Sequence, residues 1–400
     1  MKRIAPNSSL QSTNDDISYQ SFRSLDEMPN IWLDLDIQDV FLQKPYLDCL
    51  AEFPPKGMKF VYLVFYKNGY PIGFALGQIQ YFNTKTSIAA LQDSENNQGF
   101  STLLKNAIAS WGNTNVFFIG NLLVTGEHGF YFKNHIYQDY DIGKILHETA
   151  TKTVAQIPEK IGATIIKEFF DANKTLLSSL KGEKYHEMEA QPNMIFEVRP
   201  DWNNFQDYLG AMSSKYRVRA KRAFKKGKEI VKRELTIEEI QDKNTEIFAL
   251  YEEIAQKADF NAIELHPNYF YGLKVHLQED FKLMGYFFNG EMIGFYTMIF
   301  GETVLDAHFL GIKQTHNRNL QTYLNMLYDL VRAGIQEGAR TVVMARTALE
   351  IKSSVGAKAS NMSGFVKLKN PILNMSANQI YKYFSKPEEW VPRTPFKTQG

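Results

Sequence analysis

Two stretches far apart in the chain share one grammar. KFVYLVFYKNGYPIGFALGQIQYF (59–82) sets two β-rich runs around Asn68-Gly69, and FKLMGYFFNGEMIGFYTMIF (281–300) does the same around Asn289-Gly290. An Asn-Gly pair between apolar runs specifies a two-residue hairpin, because both turn residues need φ > 0 and few others tolerate it. In each case a glycine follows a few residues into the second strand, Gly73 and Gly294. What comes next is also parallel. The first hairpin is followed by further strands (116–132), a helical stretch, DIGKILHETATKTVAQIPEKIG, and the strand ATIIKEFF; the second is followed by the helix NLQTYLNMLYDLVRAGIQEG (319–338) and the strand RTVVMA. Leu320, Leu324, Leu327, Tyr328 and Val331 fall at helical spacing and predict one buried face, with Gly338 closing the helix. The repeat implies an α+β plan used twice.

A chain of 400 residues is long for one hydrophobic core, which agrees with two domains. The pattern breaks near QPNMIFEVRPDW (191–202), so the expected division is a polar tail over 1–20, a first domain over 21–195, a second over 196–385 and a C-terminal tail over 386–400. Each domain is expected to be a mixed, mostly antiparallel sheet flanked by helices. A hydrophobic content of 44% with 14% aromatic residues supplies both cores. The single cysteine, Cys49, excludes a disulfide framework and a cysteine metal cluster, and it fits a reducing compartment. The N-terminus turns polar directly after Lys2 and Arg3, unlike a secretory signal, and the apolar runs are strand-length. A cytoplasmic protein with no metal and no membrane-spanning segment is expected.

The charge is concentrated. Between Ser213 and Arg233 stand ten Lys/Arg against one acid, Glu229, in a chain whose net charge is only +1. A helical reading puts Tyr216, Ala220, Ala223, Phe224 and Val231 on one stripe, and Arg217, Lys221, Lys225, Lys228 and Lys232 on the face beside it. Gly227 is placed to end or bend that helix. Like charges at i, i+4 repel by a few tenths of a kcal/mol per pair, so an external partner is needed to offset them. One reading is a solvated face balanced by acids nearby in space. The other is a site for an anionic ligand: a nucleotide-linked substrate, coenzyme A phosphates, a tRNA backbone or anionic lipid headgroups, among which the spacing does not choose.

SKYRVRAKRAFKKG resembles a stretch of the Fem-type peptidoglycan aminoacyltransferases, with Lys215, Arg217, Lys221, Arg222, Ala223, Lys225 and Gly227 in the matching places. Downstream, ALEIKSSVGAKASNMSGF (348–365) resembles that family's C-terminal pattern through Glu350, Lys352 and Gly356, and the hairpin FFNGEMIGFYTMIF lies between the two. The likeness covers the second half well; over the first half it rests on the repeat and on GNLLVTGEHGF (120–130). It implies a FemABX-like tandem of two GNAT-like (N-acyltransferase) domains. The implied activity is transfer of an acyl or aminoacyl group to an amine or hydroxyl of a cell-envelope or lipid precursor. The competing expectation is a catalytically silent module of the same fold that grips tRNA, a nucleotide-linked ligand or an anionic membrane through the basic helix. Nucleic-acid recognition as the primary task is disfavoured by the near-neutral net charge.

Acyl transfer needs a held donor, a base and a stabiliser for the carbonyl oxygen. In GNAT folds the donor carbonyl sits between two splayed central strands, and the resemblance places LDAHFLGI (305–312) there. Asp306 and His308, two apart on that strand, form a candidate base pair. Lys352 is a candidate for binding a substrate phosphate or polarising a carbonyl, with Arg346 and Glu350 near it in sequence. Lys215, Arg217, Arg219, Lys221, Arg222 and Lys225 are candidate substrate-binding cations. In the first domain Asn121 and Glu127, on the glycine-spaced GNLLVTGEHG, are candidate substrate contacts; tight turns in a β-meander are the alternative. The segment KQTHNRNLQ (313–321) stands where an ordinary GNAT carries a glycine-rich coenzyme A loop, yet it has no glycine. There Asn317 or Asn319 can cap the following helix and Arg318 can reach a phosphate. Acyl-CoA is therefore one expected donor, and aminoacyl-tRNA the other; the remaining partners implied are a phosphorylated or lipid-linked acceptor and a peripheral membrane contact.

Overall fold

The computed structural model describes residues 11–12, 16–83, 113–256, 263–377 and 390–397. The chain forms two units: Met1–Ala190 with Asp259–His266 and Asn361–Lys386, and Gln191–Ala258 with Pro267–Ser360 and Pro387–Gly400. The first contains β1 (Gln11–Ser12), β2 (Ile17–Phe22), α1 (Lys44–Glu52), β3 (Lys59–Lys67), β4 (Tyr70–Asn83), β5 (Asn113–Ile119), β6 (Phe130–Phe132), α2 (Asn134–Asp139), α3 (Ile142–Gln156) and β7 (Ile161–Phe170). Strand β8 (His186–Glu197) leads into the second unit. There follow α4 (Phe205–Ala211), α5 (Ser214–Lys226), β9 (Val231–Glu234), α6 (Ile237–Asp242), α7 (Asn244–Ala255), α8 (Tyr269–Leu277), β10 (Phe281–Phe288), β11 (Glu291–Phe300), β12 (Val304–Ile312), α9 (Gln314–Leu320), α10 (Thr322–Gln336), β13 (Thr341–Val343) and α11 (Leu349–Ser353). Strand β14 (Lys358–Leu368) and α12 (Pro371–Met375) return the chain to the first unit.

The strand order is β1-β2-β3-β4-β5-β7-β14 in the first unit, with β6 also on β4, and β8-β13-β12-β11-β10-β9 in the second. Each has one parallel pair, β5 with β7 and β12 with β13, among antiparallel neighbours. Both hairpin turns have their two central residues at positive φ: +52° and +79° at Asn68-Gly69, +52° and +82° at Asn289-Gly290. Each hairpin then carries the same bulge: Phe65 faces Gly73 while Tyr66 faces Pro71, and Tyr286 faces Gly294 while Phe287 faces Met292. The glycines are required by close approach. A Cβ on Gly73 would meet the Phe132 ring at 2.3 Å, and one on Gly294 would meet the Gly311 carbonyl at 2.8 Å. The repeat read from the sequence thus extends to the irregularities of the strands.

In the second unit α10 buries Leu324, Leu327, Tyr328 and Val331 as their spacing predicts, and Gly338 follows it at φ +70°; Leu320, expected on the same helix, instead ends α9 half-buried, because Gln321 at φ +50° breaks the helix before it. Helix α5 buries Tyr216, Ala220 and Ala223, with Phe224 half-buried, and ends at Gly227. A side chain there would run into Asn325, whose amide donates to the carbonyl of Ala223 at 3.0 Å and fastens the end of α5 to α10. Val231 is a correction to the predicted stripe. Beyond Gly227 the period changes from helix to strand, Ile230 turns inward, and Val231 is 61% exposed on β9. Among the described residues, no helix is long and apolar enough to cross a membrane.

Candidate functional site

Strand β12 is paired with β11 along both of its ends but is interrupted between Ala307 and Leu310, where His308 and Phe309 together oppose the single residue Thr297. The Thr297 hydroxyl fills the broken ladder: it accepts from the Phe309 N–H at 2.8 Å and donates to the Phe309 carbonyl at 2.9 Å. Such a bulge bends the strand and twists it locally. On the other side, β12 pairs with β13 only from Val304 to Asp306. Past that point the chain after β13 enters a turn in which Ala345, Thr347 and Ala348 are all left-handed, at φ +56°, +66° and +49°. Strained backbone of this kind persists only where the surroundings enforce it. The two central strands of the second unit therefore diverge beyond Asp306, as the resemblance implied for 305–312.

The enforcing group is Lys352. Its Nζ donates to the carbonyls of Ala345 at 3.2 Å and Arg346 at 2.6 Å, and the residue is 5% exposed. Burial disfavours the ammonium and pushes its pKa down to about 7. The lysine read as a phosphate or carbonyl ligand is here bonded to its own backbone turn. His308 Nε2 shares a 2.8 Å hydrogen bond with the Tyr269 hydroxyl of α8, and Asp306, two residues earlier on β12, is buried.

The basic segment divides at Gly227. Past it, Lys232 is paired with Asp329 at 2.7 Å and Arg233 with Glu239 at 2.6 Å. Before it, none of the cations from Lys215 to Lys226 has a carboxylate partner among the described residues. Part of this unneutralised face borders an open cavity of about 560 Å³, lined by Ser214, Lys215, Tyr216, Val218, Arg219 and Arg222 of α5, by Glu350 of α11 and by Arg393. The structure thus brings Lys215, Arg219 and Arg222 together with Glu350. Lys221 and Lys225 are exposed elsewhere on α5, and Arg217 is half-buried. Arg318 and Asn319 are exposed on α9; of the two asparagines offered as caps, it is Asn317 that accepts from the Tyr323 N–H, at 3.1 Å, in the first turn of α10. Arg346 lies in the turn held by Lys352.

In the first unit, Asn121 and Glu127 are bonded to the chain itself. Asn121 accepts from the Leu123 N–H at 3.0 Å and donates to the Tyr46 hydroxyl at 3.2 Å. Glu127 accepts from the Phe170 N–H and from Asn173, both at 2.7 Å. Three residues escaped the sequence reading: Thr297, Tyr269 and Arg393. Arg393 stands in the stretch read as a C-terminal tail, and the signal that marks this stretch is its apolar spacing, Trp390, Val391 and Phe396.

A repeated α+β unit with a bulged central strand splaying from its parallel neighbour defines a tandem GNAT-like fold. Comparison with solved structures agrees: FemX matches over 90% of this chain and 99% of its own, with a TM-score of 0.54 and 12% identity. A tandem GNAT protein from the clavulanic acid biosynthesis pathway matches over 89% of this chain and 99% of its own, at a TM-score of 0.51 and 10% identity. No protein-family model and no curated protein matches the sequence. At these identities the likeness is one of fold.

Proposed function

We propose that this chain is an acyltransferase whose donor carbonyl enters the second unit where β12 leaves β13, and whose phosphorylated partner is held by the cations of α5. The observation that carries the reading is the opened β12–β13 pair in a tandem GNAT-like fold. At that opening, backbone N–H groups on the unpaired side of β12 are available to a carbonyl oxygen that gains charge as the nucleophile attacks. His308, in its hydrogen bond to Tyr269, is the group we assign to accept the proton of the attacking amine or hydroxyl. The acceptor class is an amine or hydroxyl of a cell-envelope or lipid precursor, in keeping with the Fem-like pattern of α5 and α11. One of the two neighbours is described in its form without AcCoA, which supports acyl-CoA as one donor; the glycine-free segment 313–321 keeps aminoacyl-tRNA beside it.

The test is equilibrium binding of labelled acetyl-CoA and of aminoacylated tRNA to the full chain, in parallel. Saturable binding of one, abolished by a bulky Ala307→Trp substitution at the opening, is the expected result. Binding of neither, with salt-sensitive retention on anionic vesicles alone, overturns the enzyme and leaves a binding module.

A further inference from the structure

Among the described residues that line the cationic cavity the one acid is Glu350, and it is already engaged. It accepts from Arg393 Nε at 3.0 Å and from Nη2 of the same guanidinium. Arg393 is carried by a strap, residues 390–397, that is fixed at Arg393 and just beyond it. Its own N–H donates to Ser353 Oγ at 3.0 Å. Two residues on, the Pro395 carbonyl accepts from the Ser213 N–H at 2.8 Å, and Phe396 packs against Trp202 and Tyr208 with ring centroids 5.5 and 5.9 Å apart. Gly356 leaves the space for that ring, since a Cβ there would come within 2.6 Å of it. The backbone of the strap is thus held, while the side chains of Arg393 and Glu350 are 36% and 52% exposed.

We propose that Arg393 is a phosphate ligand held in reserve by Glu350. A phosphate group seated against Lys215, Arg219 and Arg222 takes the guanidinium from the carboxylate, and Glu350 turns to solvent. This rests on reading the groove as the phosphate site. The exchange is physically cheap, because a half-exposed ion pair contributes little net stability. It is also specific, because the planar fork of arginine donates two N–H groups at once, here to Oε1 of Glu350, and can donate the same pair to a phosphate. Three cations of α5 that lack carboxylate partners supply the remaining charge for a diphosphate, and the cavity lies within the size range of small-ligand sites. Glu350 then acts as a filter: a weak anion cannot displace it, and a multiply charged phosphate can.

Calorimetric titration of the full chain with inorganic pyrophosphate at low salt tests the proposal. Glu350→Gln is expected to tighten binding about fivefold, since Arg393 is released and a repelling charge removed. Arg393→Gln is expected to weaken it about tenfold, and Arg393→Lys, which keeps the charge without the fork and guards against a loosened strap, by a smaller factor. Repeating the titration with a nucleoside diphosphate and with farnesyl diphosphate tells a nucleotide carrier from a lipid one, and the Glu350→Gln gain must appear with whichever binds more tightly. If Arg219→Gln and Arg222→Gln weaken pyrophosphate binding while Glu350→Gln leaves it unchanged, the reserve role of Arg393 is overturned and the phosphate groove stands. If pyrophosphate does not bind at all, both fall.

Discussion

The two units place different things at the same point of the same frame. In register, Gly73 to Ala75 face Phe132 to Phe130 and Gly77 to Ile79 face Ile119 to Phe117, as Gly294 to Tyr296 face Ile312 to Leu310 and Met298 to Phe300 face Ala307 to Leu305. The residue between is Leu76 in one and Thr297 in the other. Opposite Thr297 lies a two-residue bulge. Opposite Leu76 the chain leaves at Gly120 and returns at Gly129, with Leu76 bonded to both at 3.0 and 2.9 Å. The whole of NLLVTGEH is inserted where the second unit has a bulge, and Gly120, at φ +148°, permits the exit. That loop is held from β7. Lys167 Nζ donates to the Val124 carbonyl at 2.6 Å, and Glu168 accepts from the Gly126 N–H at 2.9 Å. The first unit thus bonds its own loop at the position where the second leaves its central strands apart. One of two copies of a scaffold is given over to holding its own loop, while in the other the pairing of the central strands ends at Asp306.

The largest effect is expected from removing the group that holds the loop. Lys167 and Glu168 form a buried pair at 2.8 Å, with side chains 8% and 5% exposed. Lys167→Met leaves a buried carboxylate without its cation, and we expect the first unit to lose about 3–5 kcal/mol in urea unfolding. Lys167→Met combined with Glu168→Gln should lose much less, because the charge is removed with its partner. A loss below about 1 kcal/mol for the single variant means that the loop is held by other contacts, and the contrast between the units fails.

The second unit has a buried lysine too, but in a different setting. Lys352 has no carboxylate within ion-pair distance among the described residues, and its ammonium is bonded to carbonyls alone. Its pKa is lowered to about 7 in the folded protein, against an ordinary value of about 10.4 for a lysine in the unfolded chain. Between these values the unfolded state binds the extra proton, so this group makes stability rise with pH across that window, by about 1.4 kcal/mol per pH unit at most. Below the window both states are charged and the contribution is flat. Urea unfolding at pH 7.0, 8.0 and 9.0, wild type against Lys352→Met, should show the wild type gaining on the variant with each step. Parallel curves would mean that Lys352 stays protonated and that its carbonyl bonds outweigh its burial.

What the sequence made legible follows the range of the interactions. The hairpins rest on a local demand, two adjacent residues at positive φ, and Asn-Gly states that demand outright. The bulk of the repeat and the amphipathic face of α5 are likewise short-period signals. Val231 was misplaced because a helical period was carried past Gly227 into a strand. The polar groups of 120–130 were legible as polar but not as bonded to Leu123, Phe170 and Asn173, since those partners are set by tertiary packing. Arg393 was hidden for the same reason: what gives it a position is Phe396, 40 residues from the nearest glycine-shaped space at Gly356, and no local rule connects the two. The strand β14 that completes the first unit from the far end of the chain was equally out of reach.

The smallest effect tests the bulge itself. Thr297→Val keeps the shape of the side chain and removes the hydroxyl that bridges the N–H and carbonyl of Phe309, so both backbone groups lose their partner inside the sheet. A loss of about 1–2 kcal/mol is expected in the second unit, together with faster amide exchange at Phe309. Thr297→Ser keeps the hydroxyl and should restore slow exchange while losing only a methyl group of packing. Leu76, at the matching point of the first unit, needs no such hydroxyl because Gly120 and Gly129 bond its backbone directly. If Thr297→Val exchanges no faster at Phe309 than the wild type, β12 keeps its bend without the threonine. The opening beside β13 would then be a property of the strand pairing alone, and the two units would differ only in the length of the insertion.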